Sequence, residues 1–298
     1  KTLKDKAIEV KSSEVLINRY NPSRIVVDSA RSSRHLQYIE LAKSKNIPVD
    51  YTWHSPLLPQ NFKIGALGGD PRQPTFVDRI LTWGKTNEEW ARRIGAKQPF
   101  VQIGSPKGEK IISDSVQWRS SKKSTKKNMN ILLLQYTYVV TDLAGTTANM
   151  YGMFVNGVRV LKSAGYRNIQ FKIHPGPGRW TIENFKKIEQ YYDLRCNIMK
   201  TAPFERCLEW ADIVIGPTCT GTLYETIAAG KPYIPIILQP QDTIDLRYFR
   251  NFPVITSIDE IPEAIEVDIE IPAKELLKST YGADNAVEPS KRFWAAMN

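Results

Sequence analysis

His174 ends an alternating apolar run and is followed at once by Pro175, Gly176, Pro177, Gly178 and Arg179. An imidazole there can donate to a phosphate or, when protonated, neutralise one. The prolines and glycines keep the backbone rigid and bare, so that a nucleotide can pass close to it. A satisfied histidine at a plain turn fits the same residues. Lys172 alternates with His174 on the run, as a buried or paired cation beside the same site. Arg179 either clamps an anion or faces solvent.

A second cluster lies in GPTCTGTLYETIAAGKP (216–232). An apolar strand ends at Gly216-Pro217, and Thr218, Thr220, Gly221 and Thr222 open a helix that closes at Gly230 before Pro232. A helix start presents free N–H groups and the positive end of the helix dipole, so it holds phosphate without a lysine. The threonine hydroxyls add donors, and Gly221 lets backbone come close. Glu225, one turn in, can accept from a ribose diol. An ordinary N-cap would use one of these threonines for the backbone alone. Three hydroxyls and a glycine exceed what a cap requires, which favours the phosphate reading. The pattern is not a Walker loop, and no GxGxxG is present, which disfavours nicotinamide cofactors.

Asp142 follows the apolar run 130–140 in TDLAGTT. Its carboxylate can act as nucleophile, base or helix cap. Earlier in the chain Asp28, Arg31, His54 and Asp70 sit in or near loops after strands. Asp28, Arg31 and His54 are expected to bind an acceptor or sugar, or to act as acid or base; a structural His54 fits equally. No DxD and no Cys/His cluster occurs, so no metal site is expected.

These residues need elements to hold them. Short apolar runs alternate with helical patterns, which predicts parallel sheets with helices on their faces. Strands are expected at 24–30, 49–53, 79–84 and 100–104, with helices at 34–46 and 86–95. A second series reads as strands at 130–140, 168–174, 197–201, 212–217, 232–238 and 253–258. Its helices lie near 147–164, 181–192, 203–211 and 220–231, with further helices at the C-terminus. The fold class is α/β with two Rossmann-like, doubly wound domains facing across a cleft, the first short or truncated. The division is 1–117, a Lys/Ser-rich linker at 118–128, and 129–298. Ligands of open α/β sheets bind at strand C-termini, which is where these polar clusters fall.

The 298 residues, 42% hydrophobic and 24% charged, suit a globular protein with a sizeable core. No apolar run reaches the roughly 18 residues that span a bilayer. The charged, helical-looking N-terminus does not read as a signal peptide, and a start at Lys1 fits a piece of a longer protein. Three scattered cysteines suit reduced thiols in the cytoplasm. The net charge of +10 favours an acidic partner. Nucleic acid is disfavoured, because the basic run at 107–127 holds a single aromatic residue, Trp118, and runs into the expected linker.

The strand-His-Pro turn, the block PFERCLEWADIVIGPTCTGTLYETIAAGKP (203–232) and ILTWGKTNEEWARRIGA…FVQIGSP (80–106) together resemble GT-B glycosyltransferases. His-Pro followed by a hydroxyl-rich helix start is similar to transferases using CMP- or CDP-activated donors. The nearest resemblance is to the retaining β-Kdo transferases of bacterial O-antigen and capsule synthesis, over about residues 76–235. It implies CMP-Kdo as donor substrate with no separate cofactor. His174, Pro175, Gly176 and the Thr218–Thr222 turn would hold the CMP phosphate. Glu225 or the Phe204 turn would contact ribose or base, with Lys172 in the same donor site. Asp142 would stand near the anomeric carbon as nucleophile. The implied acceptor is an anionic or lipid-linked surface glycan, met in the cytoplasm at the inner face of the bacterial membrane. A sialyltransferase, a CDP-glycerol glycerophosphotransferase, or a non-catalytic glycan-binding module on the same scaffold are the alternatives. The family often has serine where this chain has Thr218, Thr220 and Thr222.

Overall fold

Two compact units divide the chain, Lys1–Glu109 with Glu275–Asn298, and Lys110–Lys274. The structure, a computed structural model, describes residues 3–28, 33–52, 76–93, 95–105, 128–135, 143–175, 182–218, 221–238, 252–267, 273–282 and 288–297. The expected linker at 118–128 lies outside them except for Asn128.

In the first unit β1 (Ile25–Val27), β2 (Val49–Thr52), β3 (Arg79–Thr82) and β4 (Phe100–Gln102) form one parallel sheet in chain order. Helices α1 (Leu3–Tyr20), α2 (Ser33–Ser44) and α3 (Lys85–Arg93) accompany it. Parallel strands demand such crossovers, and strands covered on both sides read as continuous apolar runs. Ile80 and Leu81 are fully buried, as are Ile39 and Ala42 from α2. At the start of α3 the buried Asn87 accepts the Gly84 N–H at 3.1 Å. Further along, Glu88 and Arg92 pair one turn apart at 2.8 Å.

Two C-terminal helices, α9 (Ala273–Tyr281) and α10 (Pro289–Met297), contribute to this first unit rather than to the second domain, where chain order had placed them. The Tyr281 ring stacks on Trp83 with centroids 5.8 Å apart. The Ser105 N–H donates to the Tyr281 carbonyl at 3.0 Å. Arg79 donates to the Ala296 carbonyl at 2.6 Å. A side chain on Gly84 would stand 2.2 Å from the Ser279 carbonyl oxygen, so the bare backbone is what lets α9 approach.

The second unit is a five-stranded parallel sheet, ordered β7-β6-β5-β8-β9. Its strands are β5 (Asn130–Leu134), β6 (Asn168–Lys172), β7 (Asn197–Met199), β8 (Ile213–Pro217) and β9 (Tyr233–Ile236). Helices α4 (Leu143–Ser163), α5 (Ile182–Tyr192), α6 (Phe204–Trp210), α7 (Gly221–Ala228) and α8 (Ile261–Glu266) connect or follow them. Ile131, Leu133, Phe154, Phe171 and Phe185 are fully buried in one apolar cluster. Phe154, Phe171 and Phe185 meet with centroids 4.6 to 5.2 Å apart, and burying each contributes about 1.5–3 kcal/mol. Helix α4 closes at Gly165, whose φ of 95° satisfies the last turn with the Tyr166 N–H reaching the Leu161 carbonyl.

The segment 253–258 does not form the strand expected there. Only Ile255 bridges to Ile236 of β9. Pro253 has no N–H to donate, and Ser257 already caps the 3-10 turn Ile258–Glu260.

Candidate functional site at the strand ends of the second sheet

The chain runs outward from β5 through β6 to β7, then returns to β8 on the other side of β5. That reversal puts the topological switch point between β5 and β8, where open α/β sheets leave a crevice at their strand C-termini. Residues leaving β6, β5 and β8 are therefore neighbours: His174, Gln135 and Thr218. His174 stands two strands from Thr218, as the sequence led one to expect.

His174 and Pro175 are exposed just past β6. The His174 N–H donates to Oε1 of Gln135 at 2.8 Å. Partial burial of the imidazole, and then the charge of Lys172, hold its pKa below the usual 6.5. That direction favours the neutral imidazole in the free protein, which acts as a hydrogen-bonding group.

Lys172 is buried. Its ammonium donates to the carbonyls of Lys200 at 2.6 Å and Ile173 at 3.3 Å. Burial lowers its pKa, while the Cys207 thiol acts in the opposite direction. This ties β6 to the end of β7 and commits the lysine to main-chain carbonyls. Cys207, in the middle of α6, donates to the Pro203 carbonyl at 3.3 Å. Burial pushes its thiol up and the Lys172 charge pulls it down. Phe204 opens α6 half-buried, beside these groups in sequence.

On the other side, β8 ends at Pro217, whose carbonyl accepts from the Tyr233 hydroxyl at 2.8 Å. A Cβ on Gly216 would lie 2.7 Å from that hydroxyl and 2.9 Å from Leu134, so only glycine lets β5, β8 and β9 close here. Thr218 follows at 1% exposure. Gly221, Thr222 and Glu225 are half-buried on α7, while Leu223, Tyr224, Thr226 and Ile227 face the core. This helix closes at Gly230, as predicted, with the Lys231 N–H reaching the Thr226 carbonyl at 3.1 Å. Its start therefore faces the strand ends, with its far end capped.

Asp142, Gly176, Arg179 and Thr220 lie outside the described residues, as do Arg31, His54 and Asp70. Asp142 immediately precedes α4 in the chain. Asp28 follows β1 in the other unit, with its carboxylate 3.6 Å from Nε2 of His35. Among the described residues no group of three His, Cys, Asp or Glu side chains converges as a metal site. Among them, too, no helix is long and apolar enough to cross a membrane.

Gln135 escaped the sequence reading. It looked like one polar step inside a long apolar strand, and its burial at the strand end is a tertiary fact. The available signal was an amide interrupting ILLLQYTYVV between two candidate site strands.

No protein-family model and no curated protein sequence matches the chain. Solved structures do. The UDP-GlcNAc 2-epimerase of Methanocaldococcus jannaschii, in complex with UDP-GlcNAc and UDP, superposes with a TM-score of 0.62 at 12% identity, covering 97% of this chain and 80% of that one. S. aureus MnaA, in a structure with UDP, gives 0.58 at 10% identity, covering 98% of this chain and 79% of that one. At such identities the likeness is one of fold. It agrees with the two parallel-sheet α/β units: the chain has a GT-B-like fold.

Proposed function

We propose that the chain is an enzyme acting on a nucleotide-activated sugar, whose second domain holds the donor phosphate at the ends of β6, β5 and β8. What supports this is that β6 and β8, which end just before His174 and Thr218, flank β5 beside the switch point, with α7 starting at Gly221. When the sugar leaves, negative charge develops on the phosphate oxygen. N–H groups at the start of α7, threonine hydroxyls and the His174 ring stabilise that charge more than the ground state, which is the catalytic gain.

In its finer form the proposal is a metal-independent glycosyltransferase that moves Kdo from CMP-Kdo to a bacterial surface glycan. This form is supported by the sequence resemblance. Asp142 attacks the anomeric carbon, the bond to the phosphate oxygen breaks, and CMP leaves with the electron pair. The acceptor hydroxyl then attacks the same carbon, loses its proton to base, and frees the carboxylate, with net retention.

A uridine nucleotide is the second reading, supported by fold likeness to UDP-GlcNAc 2-epimerases along nearly the whole chain. Thermal shifts with CMP, CMP-Kdo, UDP and UDP-GlcNAc separate the two. Stabilisation by CMP and CMP-Kdo is the expected result. Stabilisation by the uridine pair alone would overturn the Kdo form, and no response to any of the four would overturn the nucleotide site. Mass spectrometry after incubation with CMP-Kdo should show a glycosyl adduct that Asp142→Asn loses; no adduct on the parent chain, together with an active Asn variant, would exclude Asp142 as nucleophile.

A further inference from the structure

The β5–β6 ladder does something unusual at its last rung. Leu134 pairs with Lys172, and the Gln135 N–H still donates to the Lys172 carbonyl at 2.9 Å. In a continuing parallel ladder the His174 N–H would next donate to the main-chain carbonyl of Gln135. It donates instead to the side-chain Oε1 of the same residue, at 2.8 Å. The rung is kept, but it is made by a side chain, so the two main chains can part without stranding the His174 N–H. The amide is 3% exposed, and its Nε2 lies 2.8 Å from Sδ of Met150 on α4. An N–H donor at His174 requires an oxygen opposite it, which sets the amide orientation, and the weak thioether acceptor takes the NH2 side.

We infer that Gln135 is a positioning residue: its side-chain amide replaces the next rung of the sheet, seats the His174 turn, and ties it to α4, the helix that follows Asp142. Nothing in Gln135 needs to touch a ligand for this. It sets where the imidazole stands relative to the start of α7. The functional half of the inference rests on the nucleotide-sugar reading; the geometric half does not.

The test uses Gln135→Met, which keeps the length and apolar bulk but removes the acceptor, and Gln135→Asn, one methylene too short to reach. The histidines are followed by NMR through a pH titration of the ligand-free chain, with His174→Asn assigning the signal. CMP is the binding probe. Positioning predicts a displaced His174 resonance, a titration midpoint moved up toward that of an ordinary histidine, and CMP affinity lowered about tenfold, about 1.4 kcal/mol. A folded Gln135→Met with an unchanged His174 titration and unchanged CMP affinity overturns it. Should the Met variant fail to fold, the Asn variant is read in the same way. Loss of fold in both means a purely structural amide and also overturns it. If the parent chain does not bind CMP, the probe arm falls with the proposed donor, while the His174 titration still decides the positioning role.

Discussion

The ammonium of Lys172 lies 2.6 Å from the main-chain carbonyl oxygen of Lys200, joining the ends of β6 and β7 two residues before His174. A buried cation held by carbonyls has two consequences. It satisfies main-chain acceptors, and it discourages a second positive charge nearby. Lys172→Met should therefore lower stability by about 1–3 kcal/mol, because acceptors lose their donor. It should also raise the His174 midpoint part of the way back, since burial, the larger cause, remains. Urea denaturation and histidine NMR measure the two effects separately.

The depressed His174 pKa fixes the sign of two pH effects. The unfolded chain binds the proton more readily than the folded one, so the stability this group contributes is present above 6.5 and is lost as pH falls through the lower folded value. Donor binding should run the other way. A bound phosphate favours the protonated ring, so affinity should rise as pH falls from 7 toward 5. His174→Asn should flatten that rise. Calorimetric titrations of both proteins over this range test it, and subtracting the Asn variant removes the nucleotide's own titration.

Gly216 is the tightest joint of the site. Gly216→Ala would press a methyl against the Tyr233 hydroxyl and Leu134, at 2.7 and 2.9 Å. Overpacking of this kind costs about 1–3 kcal/mol. Adding Tyr233→Phe should recover only part of the loss, because the Leu134 contact stays and the hydrogen bond to Pro217 goes. Thermal denaturation of the single and double variants checks this ordering.

The first sheet is secured from its opposite end. Asp50, fully buried, accepts from Arg24 at 2.9 Å and from Arg79 at 2.6 and 3.1 Å. Arg79 in turn holds the Ala296 carbonyl of the last helix. Asp50→Asn leaves two cations facing a neutral amide. Breaking a buried pair is worth about 3–5 kcal/mol. The lower end applies here, since both arginines are partly exposed. A fall in the urea midpoint, with the slope unchanged, is the expected signature.

Strands and helices were readable because apolar runs such as Ile131–Leu134 and Ile213–Ile215 are bounded by polar and glycine residues. The placement of β6 and β8 on either side of β5 was readable too, since it follows from a doubly wound chain. What pattern could not convey was contact across chain order. Helix α9 joins the first unit because Tyr281 finds Trp83, and nothing in either neighbourhood names the other. Gln135 was hidden for the same reason, as an amide whose role depends on a turn nearly forty residues later, at His174. The lowered pKa of His174 was likewise invisible, because it depends on burial and on the charge of Lys172.

Thr218 decides between a ligand-binding threonine and a plain cap. It is buried immediately after β8, three residues before the start of α7. Thr218→Val keeps the volume and removes only the hydroxyl. If the hydroxyl holds the donor phosphate, nucleotide affinity should fall about tenfold, near 1.4 kcal/mol, with little change in melting temperature. If it only caps backbone, stability should fall by about 1 kcal/mol while the affinity of the remaining folded protein is unchanged. Thr218→Ser should restore whichever property was lost, because it returns the hydroxyl without the methyl. We expect the first pattern: affinity and melting temperature, measured on the same three proteins, should diverge in the valine variant and rejoin in the serine variant.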